Sequence, residues 1–297
     1  MTLSDNGFHS NFESRITLMI YVYADDGGDE KRTRVSAIGV VAGLEEWWQE
    51  AAELWVERCK GIPFHAKDCE SDFGDYQGRP HEDNKAMYRD LTTILAQSKL
   101  GGIGIAIDLV AFKKVFPNSL HIDKSNQVAY HRAFIDVMER VATLAENIGE
   151  IAKLTFDVST ENAYNAALEY ETMRKGSPEL SKWLHPEVAF VPARDSPRVQ
   201  MADLLTYEAW KALDHSVGPI KRERKSWKLL MGTDRFETLA YSEQWFGDLK
   251  RHIESGDLER NVKFNQGDYR QWLEEKGLNH NMTNIFRFLD WIRQRDS

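Results

Sequence analysis

The order of apolar segments along the chain constrains its fold more than any other feature. Two consecutive segments rich in β-branched residues are followed by amphipathic segments that alternate with further short apolar ones. The predicted strands are Ile16–Ala24, Arg34–Gly43, Gly102–Phe112, Ala152–Val158 and Val188–Pro192. The predicted helices are Leu44–Lys60, His81–Ser98, Asn126–Ile148, one beginning near Thr160, and Pro197–Leu213. An antiparallel pair followed by strand–helix alternation predicts an α/β fold with a mixed five-stranded sheet flanked by helices.

The same pattern divides the 297 residues into three parts. Residues 1–15 are polar and predict a flexible N-terminus, and residues 16–213 form the α/β domain. Residues 214–297 are rich in Trp, Phe and Tyr at irregular helical spacing, which predicts a helical C-terminal extension. Its aromatic residues would form a core or the contact of a homodimer.

Composition excludes several classes of protein. The apolar content of 42% is too high for a disordered chain, and two cysteines cannot build a disulfide framework. The longest apolar run, Ile16–Ala24, is much shorter than the roughly 20 residues of a membrane-spanning helix. The first fifteen residues lack the pattern of a signal peptide. We therefore expect a cytoplasmic protein that has no membrane partner.

Three aspartates are the strongest candidates for chemistry. Asp25 follows the first strand, Asp157 closes a later strand, and Asp203 lies among apolar residues on the last helix of the domain. Strand ends and an adjoining helix can converge at one edge of a mixed sheet, so these side chains are expected to lie together. Clustered carboxylates repel one another unless a cation neutralises them, and Mg²⁺ or Mn²⁺ prefers such ligands. Two such ions can stabilise both reacting oxygens in phosphodiester hydrolysis.

Each of these aspartates also has a structural interpretation. One residue separates Asp25 from the two glycines Gly27 and Gly28, so Asp25 could belong to a hairpin turn. Asp157 could cap the helix that follows it. Asp203 could pair with Arg194 or Arg198 near the start of its helix.

A polar loop carries further candidates. His65 could carry a proton, Lys67 could contact a phosphate, and Asp68 could be a ligand, although loop residues of this kind are often only solvated. Asp108 interrupts an apolar strand, and we expect it to face water on an edge strand.

Two motifs resemble a known family. YVYADDGGD resembles the opening motif of the family called domain of unknown function 3800, and RDSPRVQMADLLTYEAW resembles its second hallmark, a Gln-x-Ala-Asp helix. FHAKD and LTFDVS lie in the matching order between them, so the resemblance covers about residues 16–213. It implies a ribonuclease H-like fold and metal-dependent nuclease activity. Asp26 and Gly27 stand where the family has Glu and Ser.

The resemblance also implies roles for individual residues. Asp25, Asp157 and Asp203 would be the metal ligands. Gln200, three residues before Asp203, would position a carboxylate or a water molecule. Asp26 would be a supporting carboxylate, with a side chain one methylene shorter than that of Glu.

The charge is distributed unevenly. The net charge of −9 argues against a polyanionic partner, yet residues 220–235 carry six Lys and Arg against two acids. Lys221, Arg222, Arg224 and Lys225 in this stretch are candidate phosphate contacts, with a solvated connector as the alternative. Residues 44–90 hold twelve acids against six Lys and Arg, so any nucleic-acid contact would be confined to one face.

The leading hypothesis is a Mg²⁺- or Mn²⁺-dependent nuclease that acts on RNA or DNA, with Asp26, His65 and Gln200 assisting the three aspartates. The first alternative is a catalytically silent ribonuclease H-like module that binds nucleic acid or a protein. The second is a hydrolase of small phosphorylated compounds, which a narrow pocket would favour.

Overall fold

The structure is a computed structural model that describes residues 19–29, 33–117, 125–158, 163–219, 222–254, 271, 272 and 274–277. Within these residues one mixed sheet has the strand order β5-β4-β1-β2-β3-β6. Its strands are β1 (Met19–Gly28), β2 (Val35–Gly43), β3 (Gly101–Asp108), β4 (Ile151–Asp157), β5 (Ala189–Val191) and β6 (Phe236–Tyr241). β2 is antiparallel to both of its neighbours, β1 and β3, whereas β4 is parallel to β1, β5 to β4 and β6 to β3.

The mixed sheet confirms the predicted α/β class, but it has six strands where five were predicted. The sixth, β6, lies in the segment predicted to be a helical extension. Only its first and last residues, Phe236 and Tyr241, are buried, so its sequence lacks the alternation that identifies a strand. The predicted flexible N-terminus at 1–15 and most of residues 255–297 lie outside the described residues.

Two strand ends also differ from the prediction. β1 does not end at Ala24, because Asp25 to Gly28 continue the pairing with β2. β3 ends at Asp108, whose carboxylate accepts hydrogen bonds from the backbone N–H groups of Val110 and Ala111 and so caps the following helix. Asp108 is thus buried at a helix start, and the prediction that it faces water is wrong.

Helices cover both faces of the sheet. They are α1 (Glu45–Cys59), α2 (Ala66–Ser71), α3 (His81–Gln97), α4 (Leu109–Val115), α5 (Ser125–Ile148), α6 (Ala163–Gly176), α7 (Pro178–Ser181), α8 (Pro197–Val217), α9 (Lys225–Met231) and α10 (Glu243–Glu254). None of the helices in the described ranges is long and apolar enough to cross a bilayer.

Side-chain alternation separates two cores. Ile20, Val22 and Ala24 of β1 pack with α5 on one face of the sheet. Tyr21 and Tyr23 point to the opposite face, where α1, α3 and α8 pack. Because side chains alternate along a strand, Asp25 points to this second face.

Helix α8 lies unusually close to the sheet. Its Ser196 cap and Pro197 define its start, and it packs across β1, β2 and β3. A Cβ atom placed on Gly39 of β2 would lie 2.7 Å from the backbone nitrogen of Thr206, and one on Gly104 of β3 would lie 2.6 Å from the Cβ of Ala209. Glycine at these positions lets α8 approach the sheet, and this approach sets how near Asp203 comes to the strands.

Candidate active site

Asp25 and Asp157 lie side by side on neighbouring strands. The last pair between the parallel strands β1 and β4 is Ala24 with Phe156, so Asp25 and Asp157 occupy the next position on each strand. Adjacent strands are about 4.8 Å apart, and both side chains point to the face that α8 covers. Asp25 is thus placed by the sheet and not by a hairpin turn.

Asp203 reaches the same place from α8. Its Oδ2 atom accepts a hydrogen bond of 2.7 Å from the backbone N–H of Ala66, the first residue of α2. The alternative partners are engaged elsewhere, since Arg198 pairs with Glu45 at 2.5 Å and Arg194 with Asp75 at 3.3 Å. The carboxylate of Asp203 therefore orients α2.

Gln200 acts on Asp157 through one intermediate residue. Its Nε2 atom donates to the carbonyl of Ala193 at 2.9 Å, and its Oε1 atom accepts from the indole N–H of Trp55 at 3.0 Å. The backbone N–H of Ala193 then donates to Oδ1 of Asp157 at 2.9 Å. Gln200 thus holds the turn that orients the Asp157 carboxylate.

The three aspartates line one cleft of about 570 Å³, which we call the acidic cleft. They are nearly buried, with exposed fractions of 7% for Asp25, 5% for Asp157 and 6% for Asp203. The charged side chains lining it are seven aspartates against one lysine and one arginine: Asp25, Asp26, Asp29, Asp68, Asp75, Asp157, Asp203, Lys67 and Arg194. Such a site attracts cations.

Burial and repulsion disfavour ionisation of two of these carboxyls. Burial raises the pKa of Asp25 well above its ordinary value, and the neighbouring carboxylates, Asp203 foremost, raise it further. Burial also raises the pKa of Asp203, opposed by His65 and by the hydrogen bond from Ala66. A cation in the cleft would relieve both effects.

The donor chemistry fits a hard divalent cation, but the present spacing does not yet form a ligand set. In the described part of the chain, no three His, Cys, Asp or Glu side chains are arranged so that they could hold a metal ion together. The residues that would hold one are Asp25, Asp157 and Asp203, because their carboxylates are the most buried in the cleft. Binding would require these side chains to rearrange into a shared ligand set.

The other predicted residues of this region lie on the walls of the acidic cleft. Asp26 is a half-buried residue of β1, and His65, Lys67 and Asp68 come from the start of α2. The Nδ1 atom of His65 lies 3.0 Å from Oδ2 of Asp68, and its side chain is 50% exposed. This pair orients the imidazole at the mouth of the cleft.

The described residues of the basic stretch line cavities other than the acidic cleft. Arg222 and Lys225 are exposed and line other cavities, and Lys221 lies outside the described residues. Arg224 is buried, and its guanidinium donates to Glu208 at 2.7 and 2.9 Å and to Glu70 at 2.6 Å. This placement favours a structural role for Arg224 over the predicted phosphate contact.

Several groups that shape the site were not predicted. The backbone N–H groups of Ala66 and Ala193 orient the carboxylates of Asp203 and Asp157. Gly39 determines how closely α8 approaches the sheet. Tyr207, four residues after Asp203 and hence on the same helix face, forms a wall of the cleft. Only the Asp203–Tyr207 spacing is visible in the sequence.

The sequence matches neither a family model nor a curated protein. The resemblance to domain of unknown function 3800 therefore stays a prediction.

Proposed function

We propose that the chain is a divalent-metal-dependent nuclease that hydrolyses phosphodiester bonds in RNA or DNA. One observation carries the proposal: Asp25, Asp157 and Asp203, from two strands and a helix, converge buried on one cleft. The mixed sheet that supports them agrees with the ribonuclease H-like fold that the resemblance implies, with β6 as an added edge strand.

Burying several carboxylates together is costly without a compensating cation. An isolated buried carboxylate is destabilising, and like charges nearby add to that cost. Mg²⁺ or Mn²⁺, when bound, neutralises this charge and activates water for attack on a phosphate. Asp25, Asp157 and Asp203 would hold it.

The remaining residues have roles that follow from their positions. The hydrogen bonds from Ala66 and Ala193 hold the carboxylates of Asp203 and Asp157 in defined orientations. Lys67, on the cleft wall, would contact a phosphate oxygen. His65, oriented by Asp68, would give a proton to the leaving oxygen.

The test is cleavage of labelled single- and double-stranded oligonucleotides with MgCl₂ or MnCl₂. We expect cleavage by the wild-type protein and a loss of at least 100-fold in Asp157→Asn and Asp203→Asn. Asp248→Asn, the same change at a surface carboxylate that pairs with Arg251, serves as the matched control. No cleavage of any substrate with either metal, or full activity in Asp203→Asn, would refute the proposal.

A second candidate is the catalytically silent module. It is favoured by the absence, among the described residues, of three side chains already arranged around a metal position. Binding of nucleic acid that is unchanged by metal, together with no cleavage, would support it. The predicted homodimer and cytoplasmic location are independent of this choice and stay predictions.

A further inference from the structure

A second, positively charged cavity lies beside the acidic cleft. It has a volume of about 780 Å³, and we call it the basic groove. Its cations come from α3, α8 and the segment that leads into α9: Lys85, Arg89, Lys211, Arg222, Arg224 and Lys225. The three acids that line it are Glu70, Glu82 and Glu223. The groove thus carries an excess of three positive charges in a chain whose net charge is −9.

The acids of the groove are already paired. Glu70 accepts from the buried Arg224, Glu82 pairs with Lys85 at 3.0 Å, and Glu223 pairs with Lys228 at 2.7 Å.

The cations differ in how far they are engaged. Arg89 lies 3.4 Å from Asp90, and Lys211 lies over the rings of Tyr207 and Trp210. Arg222 and Lys225 are exposed and form no ion pair within the described part of the chain. Positive charge is therefore available to an anionic ligand.

The basic groove continues from the acidic cleft along α8. Asp203, Tyr207 and Lys211 are spaced four residues apart and share one face of the helix. Tyr207 forms a wall of the acidic cleft, and its hydroxyl donates to Glu70 of the groove at 2.5 Å. Eight residues of helix place Lys211 about 12 Å from Asp203 along the axis.

We propose that the basic groove binds the sugar–phosphate backbone of a nucleic-acid strand three to four nucleotides from the phosphate held at the acidic cleft. This inference rests on the proposed function. In a stacked strand one phosphate recurs about every 3.4 Å along the axis, so about 12 Å corresponds to this number of nucleotides. Cations supplied by three separate segments match a row of phosphates better than a single phosphate group.

The buried Arg224 network supports this groove from beneath. Glu208 of α8 accepts from Arg224, and the hydroxyl groups of Ser226 and Tyr88 donate to Glu208. The network fixes the backbone between Arg222 and Lys225, so both exposed side chains are presented to the groove.

The test is the salt dependence of binding, measured by fluorescence anisotropy with labelled single strands of 4 and 12 nucleotides in MgCl₂. Every protein keeps the three aspartates of the acidic cleft, and every strand carries phosphorothioate linkages, which retain their negative charge but resist hydrolysis, so the strand stays intact. Arg222→Ala/Lys225→Ala is compared with Lys114→Ala/Lys182→Ala, a control that removes two exposed lysines from elsewhere on the surface.

The logarithm of the association constant for the 12-mer should decrease linearly with log [KCl]. We expect this dependence to be less steep by about 1.4 in the groove variant and unchanged in the control. If the proteins bind equally at 1 M KCl, that slope difference makes binding at 0.1 M about 25-fold weaker. The 4-mer, too short to reach from the acidic cleft through the groove, should show no such change. Lys211→Gln, tested separately, should make the salt dependence of the association constant less steep by about 0.7.

An unchanged slope in the groove variant, equal changes in the control, or equal affinity for both strand lengths would overturn the inference. Equal affinity would indicate a small phosphorylated ligand. Because binding is measured without cleavage, a wild-type protein that binds as expected but cuts no substrate would refute the nuclease and leave the groove assignment standing.

Discussion

Replacing Gly39 with alanine tests whether the close approach of α8 to the sheet sets the geometry of the site. The added Cβ would lie 2.7 Å from the backbone nitrogen of Thr206 and 3.0 Å from its Cα. Backbone atoms cannot turn aside, so an ordinary contact of about 3.4 Å requires α8 to move roughly 0.7 Å away. Asp203, one helical turn before Thr206, would move with it.

The magnitude follows from that displacement. Overpacking of this kind lowers the free energy of unfolding by about 1–3 kcal/mol, which corresponds to a decrease of roughly 2–12 °C in Tm for a chain of this size. A misplacement of about 1 Å at a catalytic group costs about 100-fold in rate, so we expect cleavage to fall about 10- to 100-fold. Mn²⁺ affinity should fall as well, since Asp203 is drawn away from Asp25 and Asp157.

The assay compares cleavage rate and Mn²⁺ affinity at a temperature where circular dichroism shows each variant to be folded. Gly43→Ala is the matched control on the same strand, because its Cβ would meet the end of the Leu100 side chain at 2.5 Å, which can rotate away. A folded Gly39→Ala protein with wild-type rate and wild-type Mn²⁺ affinity would refute the reasoning.

Three further predictions concern stability. In the metal-free protein the pKa of Asp25 is higher in the folded state than in the unfolded state. The contribution of Asp25 to the free energy of unfolding is therefore fully present below about pH 4, and it is lost as the pH rises through the pKa of the folded state. Asp25→Asn should therefore raise Tm at pH 7 and not at pH 4 in thermal melts with EDTA, and an equal effect at both pH values would contradict this. Arg224→Ala should lower the free energy of unfolding by about 3–5 kcal/mol in urea, because it leaves the fully buried Glu208 without its cation; a change below about 1 kcal/mol would contradict the buried pairing. Gln200→Ala should lower the free energy of unfolding in urea by about 1–3 kcal/mol, because the indole N–H of Trp55 loses its acceptor. The same change should slow cleavage at temperatures where the variant is folded. Wild-type stability and a wild-type rate would contradict these two expectations.

The sequence predicts the α/β class because its strands and helices have strong, regular patterns. The antiparallel β1–β2 pair, the parallel placement of β4 and the long helix α8 follow from apolar periodicity and from a Pro at a helix start. β6 could not be predicted from the sequence, because only its first and last residues are buried and the residues between them do not alternate between apolar and polar.

The candidate site is predictable only for side chains that are out of place in apolar segments. Asp157 and Asp203 stand out in this way, and the sheet register then brings Asp25 beside Asp157. The N–H donors from Ala66 and Ala193 depend on tertiary packing of loops and have no side-chain signature. Arg224 belongs to a run of exposed basic residues, and only the position of Glu208 on α8 explains why it is buried.

Binding of Mn²⁺ to the purified protein tests the central claim most directly. Calorimetric titration with MnCl₂ should show binding to the wild-type protein and to Asp248→Asn, and its loss in Asp25→Asn, Asp157→Asn and Asp203→Asn. At 100 times Kd the metal should stabilise the wild-type fold by about 2.7 kcal/mol, which corresponds to roughly 5–11 °C in Tm. No binding up to 10⁴ times the protein concentration, or binding that survives all three substitutions, would contradict a metal centre built from these aspartates.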